Sequence, residues 1–154
     1  MMERITNLES RLDRQEKKEK KNNIIVKGIE IGNSTNIPET VRNVITKELK
    51  VEPNIVEAHR LGRRSTMILV KLNSFENKLT ILKNKHKLTN KSIYIDNDYT
   101  KQERYVQAQI RRRAKEEKLN GHRVKIYYRK ILIDDKWYEW NDNENQLIEH
   151  ASKN

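Results

Sequence analysis

The chain contains no cysteine, which excludes disulfides and thiolate metal sites. Its four histidines, His59, His86, His122 and His150, show no metal-ligand spacing. With only four glycines it has no Gly-rich phosphate loop, and no nucleophile motif appears. No catalytic residue, metal, cofactor or small-molecule substrate is therefore expected. No apolar run approaches the ~20 residues of a membrane span, so no membrane partner is expected. The N-terminus has no apolar segment after its first basic residues, unlike a secretory signal, so an intracellular protein is the expectation. Apolar residues make up 34% of the chain and aromatics 6%, against about 45–50% apolar in an ordinary globular domain. Thin-cored small modules are expected rather than one thick globule.

Positive charge is what the chain has in excess. Its net charge is +11 and its pI about 9.8. A pI above about 9 is the footprint of a nucleic-acid binder. The charge is uneven: residues 98–133 hold eleven Lys and Arg against four Asp and Glu, and residues 134–154 hold two against six.

The fold class reads as α+β, in three parts. Residues 1–22 place Met1, Ile5, Leu8 and Leu12 at spacings of four, three and four, a coiled-coil seam. Gln15, Glu19 and Asn22 then interrupt it, so the segment reads as the end or neck of a coiled coil and a candidate oligomerisation element. An ordinary charged surface helix is the competing reading. Residues 23–97 read β-α-β-β-α-β, the ferredoxin-like order used by RNA-recognition motifs. Asn36, Pro38 and Glu39 open the first helix of that unit, with Val41, Val44, Ile45 and Leu49 on one stripe. Ser74 opens the second, with Phe75, Leu79, Ile81 and Leu82 available to the core. Residues 98–154 predict a small α-β-α domain. Thr100 and Glu103 form a capping box and Gly121 ends the helix. Strands follow over Arg123 to Tyr128, Lys130 to Ile133 and Lys136 to Trp140, with Asp134-Asp135 as a turn. A last helix is expected from Asn143 to Ala151, capped by Asn141. Trp137 and Trp140 are expected to anchor this domain's core.

Three basic clusters are candidate RNA-binding residues. The first is the run Arg111, Arg112 and Arg113 on a helix that also carries Arg104, Lys115 and Lys118; cations along one side can follow a phosphate backbone. The second is Arg123, Lys125, Tyr127, Tyr128, Arg129 and Lys130. On a strand Arg123, Lys125 and Tyr127 point one way, and alternating cation and ring suits single strands, bases stacking while phosphates meet charge. The third is Arg60, Arg63, Arg64 and Lys71 about the middle strands of the first unit. The two strands NIIVKG and MILVKL carry no aromatic, so base stacking on that sheet is not expected. The competing readings are a structural, oligomerising protein whose basic face serves solubility, and a Mg²⁺-dependent nuclease using Asp96, Asp98, Asp134, Asp135 or Asp142. Those aspartates sit in turn and cap positions where Asp is common anyway.

The order of NNIIVKGI, AHRLG before a basic turn, MILVKL, SIYIDNDYT, a basic helix ending KEEKLNG, and HRVKIYYRKILIDDKWYEW resembles the first-open-reading-frame proteins of LINE-type retrotransposons, especially insect versions. The resemblance covers essentially the whole chain, and the last stretch is its most specific part. It implies a coiled-coil trimer that binds its own element's RNA as a nucleic-acid chaperone in transposition, within a cytoplasmic or also nuclear ribonucleoprotein. It implies single-stranded RNA, or single-stranded DNA, as the partner. It assigns RNA contact to Arg60, Lys71, Arg111 to Arg113, and Arg123 with Tyr127 or Tyr128. The chain departs from the family in having only a stub of coiled coil.

Overall fold

The computed structural model describes residues 2–32, 36–62 and 66–150. Among them are four helices and two four-stranded antiparallel sheets, so the protein is α+β. The chain divides into two compact units, Met1–Asp98 and Tyr99–Asn154.

The first unit opens with helix α1 (Met2–Glu19), whose Ile5, Leu8 and Leu12 are all more than half exposed. Met1, the first residue of the expected seam, lies outside the described residues. The end of α1 is tied to the unit by polar contacts. Lys78 is buried, and its Nζ donates to the carbonyls of Lys20 and Lys21 at 3.4 and 3.0 Å. Asp98 accepts from Asn23 Nδ2 at 3.1 Å and lies 3.4 Å from Lys20 Nζ.

Strands β1 (Asn23–Lys27), β2 (Ile55–Arg60), β3 (Ile68–Leu72) and β4 (Tyr94–Asn97) stand in the order β2-β3-β1-β4. Helices α2 (Ile37–Leu49) and α3 (Phe75–Lys83) bury Val41, Ile45, Leu49 and Ile81 against Ile24, Val26, Ile68, Val70 and Leu72. Both helices start at side-chain caps: Asn36 accepts from the Glu39 N–H and Ser74 from the Asn77 N–H. Gly28 leaves β1 with φ of +89°, and a Cβ there would collide with the Ser92 carbonyl oxygen. On α3 the expected inward face is only half right. Ile81 is buried and Leu82 partly so, but Phe75 and Leu79 point to solvent while Lys78 turns in to cap α1.

In the second unit helix α4 (Lys101–Leu119) starts at a capping box. The Glu103 N–H donates to Thr100 Oγ1 at 3.1 Å and the Thr100 N–H to Glu103 Oε1 at 3.0 Å. Val106, Ile110 and Ala114, at helical spacing, bury one face of α4. That face covers an up-and-down sheet of β5 (Val124–Tyr127), β6 (Lys130–Ile133), β7 (Lys136–Asn141) and β8 (Gln146–Glu149). The core adds Ile131, Ile133 and Trp140, with Val124, Tyr138 and Leu147 partly buried. The Asp134-Asp135 turn has positive φ at both residues, 49° and 98°, as a two-residue hairpin of this hand needs.

The α-β-α expectation is corrected here: residues 143–149 are not helical. Asn141 Oδ1 accepts from the Glu144 N–H at 2.9 Å, and Asn145 takes φ of 52°, which reverses the chain into β8. An open β7 edge offers Gln146 to Glu149 a ladder of backbone hydrogen bonds, and a short isolated helix offers no comparable burial. Residues 151–154, where the expected helix would finish, lie outside the described residues.

Candidate nucleic-acid interface

Cross-strand register decides which side chains share a face. In the second unit Lys125, Leu132 and Trp137 are directly opposed across β5, β6 and β7, and so are Tyr127, Lys130 and Glu139. The alternating residues Val124, Ile126, Ile131, Ile133, Tyr138 and Trp140 face α4. The outer face therefore carries Lys125, Tyr127, Lys130 and Trp137 together. Tyr127 and Trp137 lie 5.0 Å apart, centroid to centroid, at 50°. Lys125 Nζ stands 5.6 Å from the Tyr127 ring and Lys130 Nζ 5.4 Å from the Trp137 ring. Arg123, almost fully exposed, extends the row beside Asp135 at 3.7 Å.

Trp137 is thus not the core anchor that the sequence reading expects. Trp140 is, at 7% exposure, while Trp137 is 38% exposed on the opposite face. An odd spacing of three on a strand puts two residues on opposite faces, which is the signal that was available in KWYEW.

Two residues of the second cluster are held by internal partners, although Tyr128 stays 46% exposed. Tyr128 sits in the β5–β6 turn; its hydroxyl donates to Glu103 Oε2 at 2.5 Å and its ring stacks on Tyr99. Arg129 holds φ of 61° and pairs with Asp142 at 2.8 Å. Gln107 of α4 fixes this turn, accepting from the Arg129 N–H and donating to the Tyr127 carbonyl.

The arginine run divides. At ~100° per residue, Arg104, Arg111, Lys115 and Lys118 fall within about 60° of arc on α4. Arg111, Lys115 and Lys118 ring a groove of about 420 Å³ whose floor is Ala114, Leu119 and Ile126, beside β5. Arg104 is tethered to the Tyr99 carbonyl at 2.7 Å. On the other flank Arg113 pairs with Glu117 at 2.8 Å and covers the Tyr138 ring at 5.6 Å. Arg112 lies 4.0 Å from Glu116 with both side chains exposed. One continuous three-arginine block is therefore not formed; Arg111 joins Lys115 and Lys118, and Arg113 is used internally.

At the far end of β5, Asp134 accepts from the Arg123 N–H at 2.9 Å and lies 2.6 Å from His122 Nδ1. The Arg123 N–H, then His122, hold its carboxyl below the usual aspartate value.

Of the third cluster, the described residues Arg60 and Lys71 fall on opposite sides of the sheet. Arg60 donates to the Ile31 carbonyl at 2.7 Å. It is opposed to the buried Ile68, so it lies on the helix side, whereas Lys71 is exposed and opposed to Glu57 and Asn23 on the outer side. Arg63 and Arg64 lie outside the described residues. The central strands β1 and β3 carry no ring, but Tyr94 on edge strand β4 is 66% exposed and opposed to Lys27. Among the described residues no group of His, Asp and Glu could hold a metal ion, and no helix is long and apolar enough to cross a membrane.

No protein-family model matches the chain, and no characterised protein matches its sequence.

Proposed function

We propose that the chain binds single-stranded RNA, or single-stranded DNA, largely without regard to sequence, as a non-enzymatic coat and chaperone protein of a LINE-type retrotransposon ribonucleoprotein. The observation that carries the reading is the outer face of the second unit's sheet, where Lys125, Tyr127, Lys130 and Trp137 alternate charge and ring. Rings accept any base by stacking, and the flanking ammonium groups meet the phosphates between. The Arg111, Lys115 and Lys118 column beside β5 supplies further charge without base readout.

We read the first unit as a ferredoxin-like, RNA-recognition-motif-like domain, a reading that the strand order β2-β3-β1-β4 with two helices supports. Without rings on β1 and β3 it contributes charge more than stacking. The exposed Ile5, Leu8 and Leu12 support α1 as an oligomerisation arm, a trimer by resemblance. The same exposure favours the alternative, an oligomerising structural protein whose basic face serves solubility.

Binding of the full chain to a mixed-sequence single-stranded RNA, followed by fluorescence polarisation over a salt series, separates them. Five cations at about 0.7 per phosphate predict a slope of log K against log salt of about −3.5. A Kd indifferent to salt, or no retention at physiological salt, sinks the RNA reading and leaves the structural one.

A further inference from the structure

We propose that copies of this chain join head to tail through the two edges of the second unit's sheet, β8 of one copy adding to β5 of the next. The contact needs no RNA, although its Lys118–Glu149 pair uses a cation that the RNA reading also uses.

Among the described residues, neither edge of the β5-β6-β7-β8 sheet has a neighbouring strand. The hydrogen-bond pattern fixes which backbone groups they offer. The Asp134 N–H donates to the Arg123 carbonyl, so Arg123, Lys125 and Tyr127 are the residues of β5 whose backbone turns toward β6. The N–H and C=O of Val124 and Ile126 then point out of the open edge. At the other end the His150 N–H donates to the Trp137 carbonyl, which leaves those of Leu147 and Glu149 pointing outward from β8. Pairing Ile126 with Leu147 of a second copy, and Val124 with its Glu149, joins all of these groups in one antiparallel register, for roughly four hydrogen bonds.

Strand direction permits this without turning either copy. The four strands alternate, so a copy shifted along the sheet brings its β8 antiparallel to β5. The shift is roughly 19 Å at ~4.8 Å per strand, enough to keep neighbouring α4 helices, ~10–12 Å wide, clear of each other.

Side chains and charge agree with the backbone. Ile126, 39% exposed, meets Leu147 on the helix side. Beside β5 stand Lys118, Lys115 and Arg111, while the β8 edge carries Glu149 and, in the preceding turn, Glu144. Glu149 lies 4.0 Å from Lys136 with both exposed, a pair that leaves it available to Lys118 of a second copy. Two four-residue strands make a small interface, so the contact is weak and growth depends on concentration. The closure is heterologous and the product is an open chain of copies.

Sedimentation velocity of the full chain over a concentration series, without nucleic acid, reads the contact directly. Ile126→Pro removes an outward N–H from β5 and leaves the β6 ladder; Glu149→Pro does the same for β8. Each variant alone is expected to stop growing, with an association constant at least about tenfold lower. Their mixture is expected to form one further pairing and no more, since each retains the edge the other lost. Association through α1 survives both substitutions and so cannot produce this result. Lys118→Glu and Glu149→Lys, which leave every backbone group in place, should each weaken growth, and mixing them should restore the pairing between copies. Wild-type protein that shows no concentration-dependent growth overturns the proposal. So do folded proline variants that associate as wild type does, or variants that fail to combine when mixed.

Discussion

Replacing Trp137 by Ala tests stacking apart from charge. The ring lies on the outer face, 5.0 Å from Tyr127 and 5.4 Å from Lys130 Nζ, across the sheet from the Val106, Ile110 and Ile131 core. A stacked base is worth about 1–3 kcal/mol, so Kd for single-stranded RNA should rise about 5- to 150-fold. The ring faces no phosphate with a charge of its own, so the salt slope should stay where it was. Trp140→Ala is the control three residues on. Trp140 is buried and meets Tyr105 edge-on at 6.0 Å, so its truncation should cost about 3–5 kcal/mol of stability and unfold much of the second unit. Polarisation titrations over salt, paired with denaturant melts, read both quantities. Wild-type affinity in folded Trp137→Ala would refute the stacking role, and a flattened salt slope would show that it acted through charge instead.

Arg111→Ala should lower the salt slope by about 0.7 with little change in stability. Arg113→Ala should do the reverse in the same titrations and melts, losing about 1 kcal/mol of stability with the Glu117 pair and the Tyr138 contact while the slope holds. Lys115→Glu places an acid four residues from Arg111; it should raise stability in the melts by a few tenths of a kcal/mol and weaken RNA binding. Gly28→Ala should cost at least about 2 kcal/mol by denaturant unfolding, since φ of +89° and the Ser92 carbonyl both oppose a Cβ. Asp134 has its carboxyl held low in the fold, so its contribution is present above the unfolded value and is lost as pH falls through the lower folded one. Melting curves of Asp134→Asn against pH should therefore lose part of the wild-type decline below about pH 4; an unchanged acid limb would show that this group does not couple to folding.

Local chemistry was legible at the three helix starts where a side chain caps backbone three residues away. Asn36, Ser74 and Thr100 each accept from an N–H at that distance, and each opens a helix read in the sequence. The same local bond misled at Asn141, because an i to i+3 hydrogen bond can begin a helix or tighten a turn. What decided it was Asn145 in the left-handed region and a free β7 edge, and the second is not local. Lys78 was illegible for a similar reason: its partners are carbonyls more than fifty residues earlier. Trp137 was legible in principle, since strand period alone puts it opposite Trp140.

The arginine run shows how far charge in a sequence predicts an interface. Arg112 and Arg113 each have a glutamate four residues on, and those pairs form. Arg111 has Lys115 there instead, with Lys118 three further, so this column repels itself by a few tenths of a kcal/mol per pair. An isolated helix gains nothing from that arrangement. A polyanion laid along the column reverses its sign, because each phosphate between two cations is attracted to both while the Glu-paired arginines must first give up a partner. A local rule broken on one flank of α4 and kept on the other separates the cations with no carboxylate four residues on from those paired within the helix. The composition could not draw that line: all six cations of Arg104, the arginine run, Lys115 and Lys118 count equally toward the net charge of +11, and only their positions around the helix and their i+4 neighbours divide them.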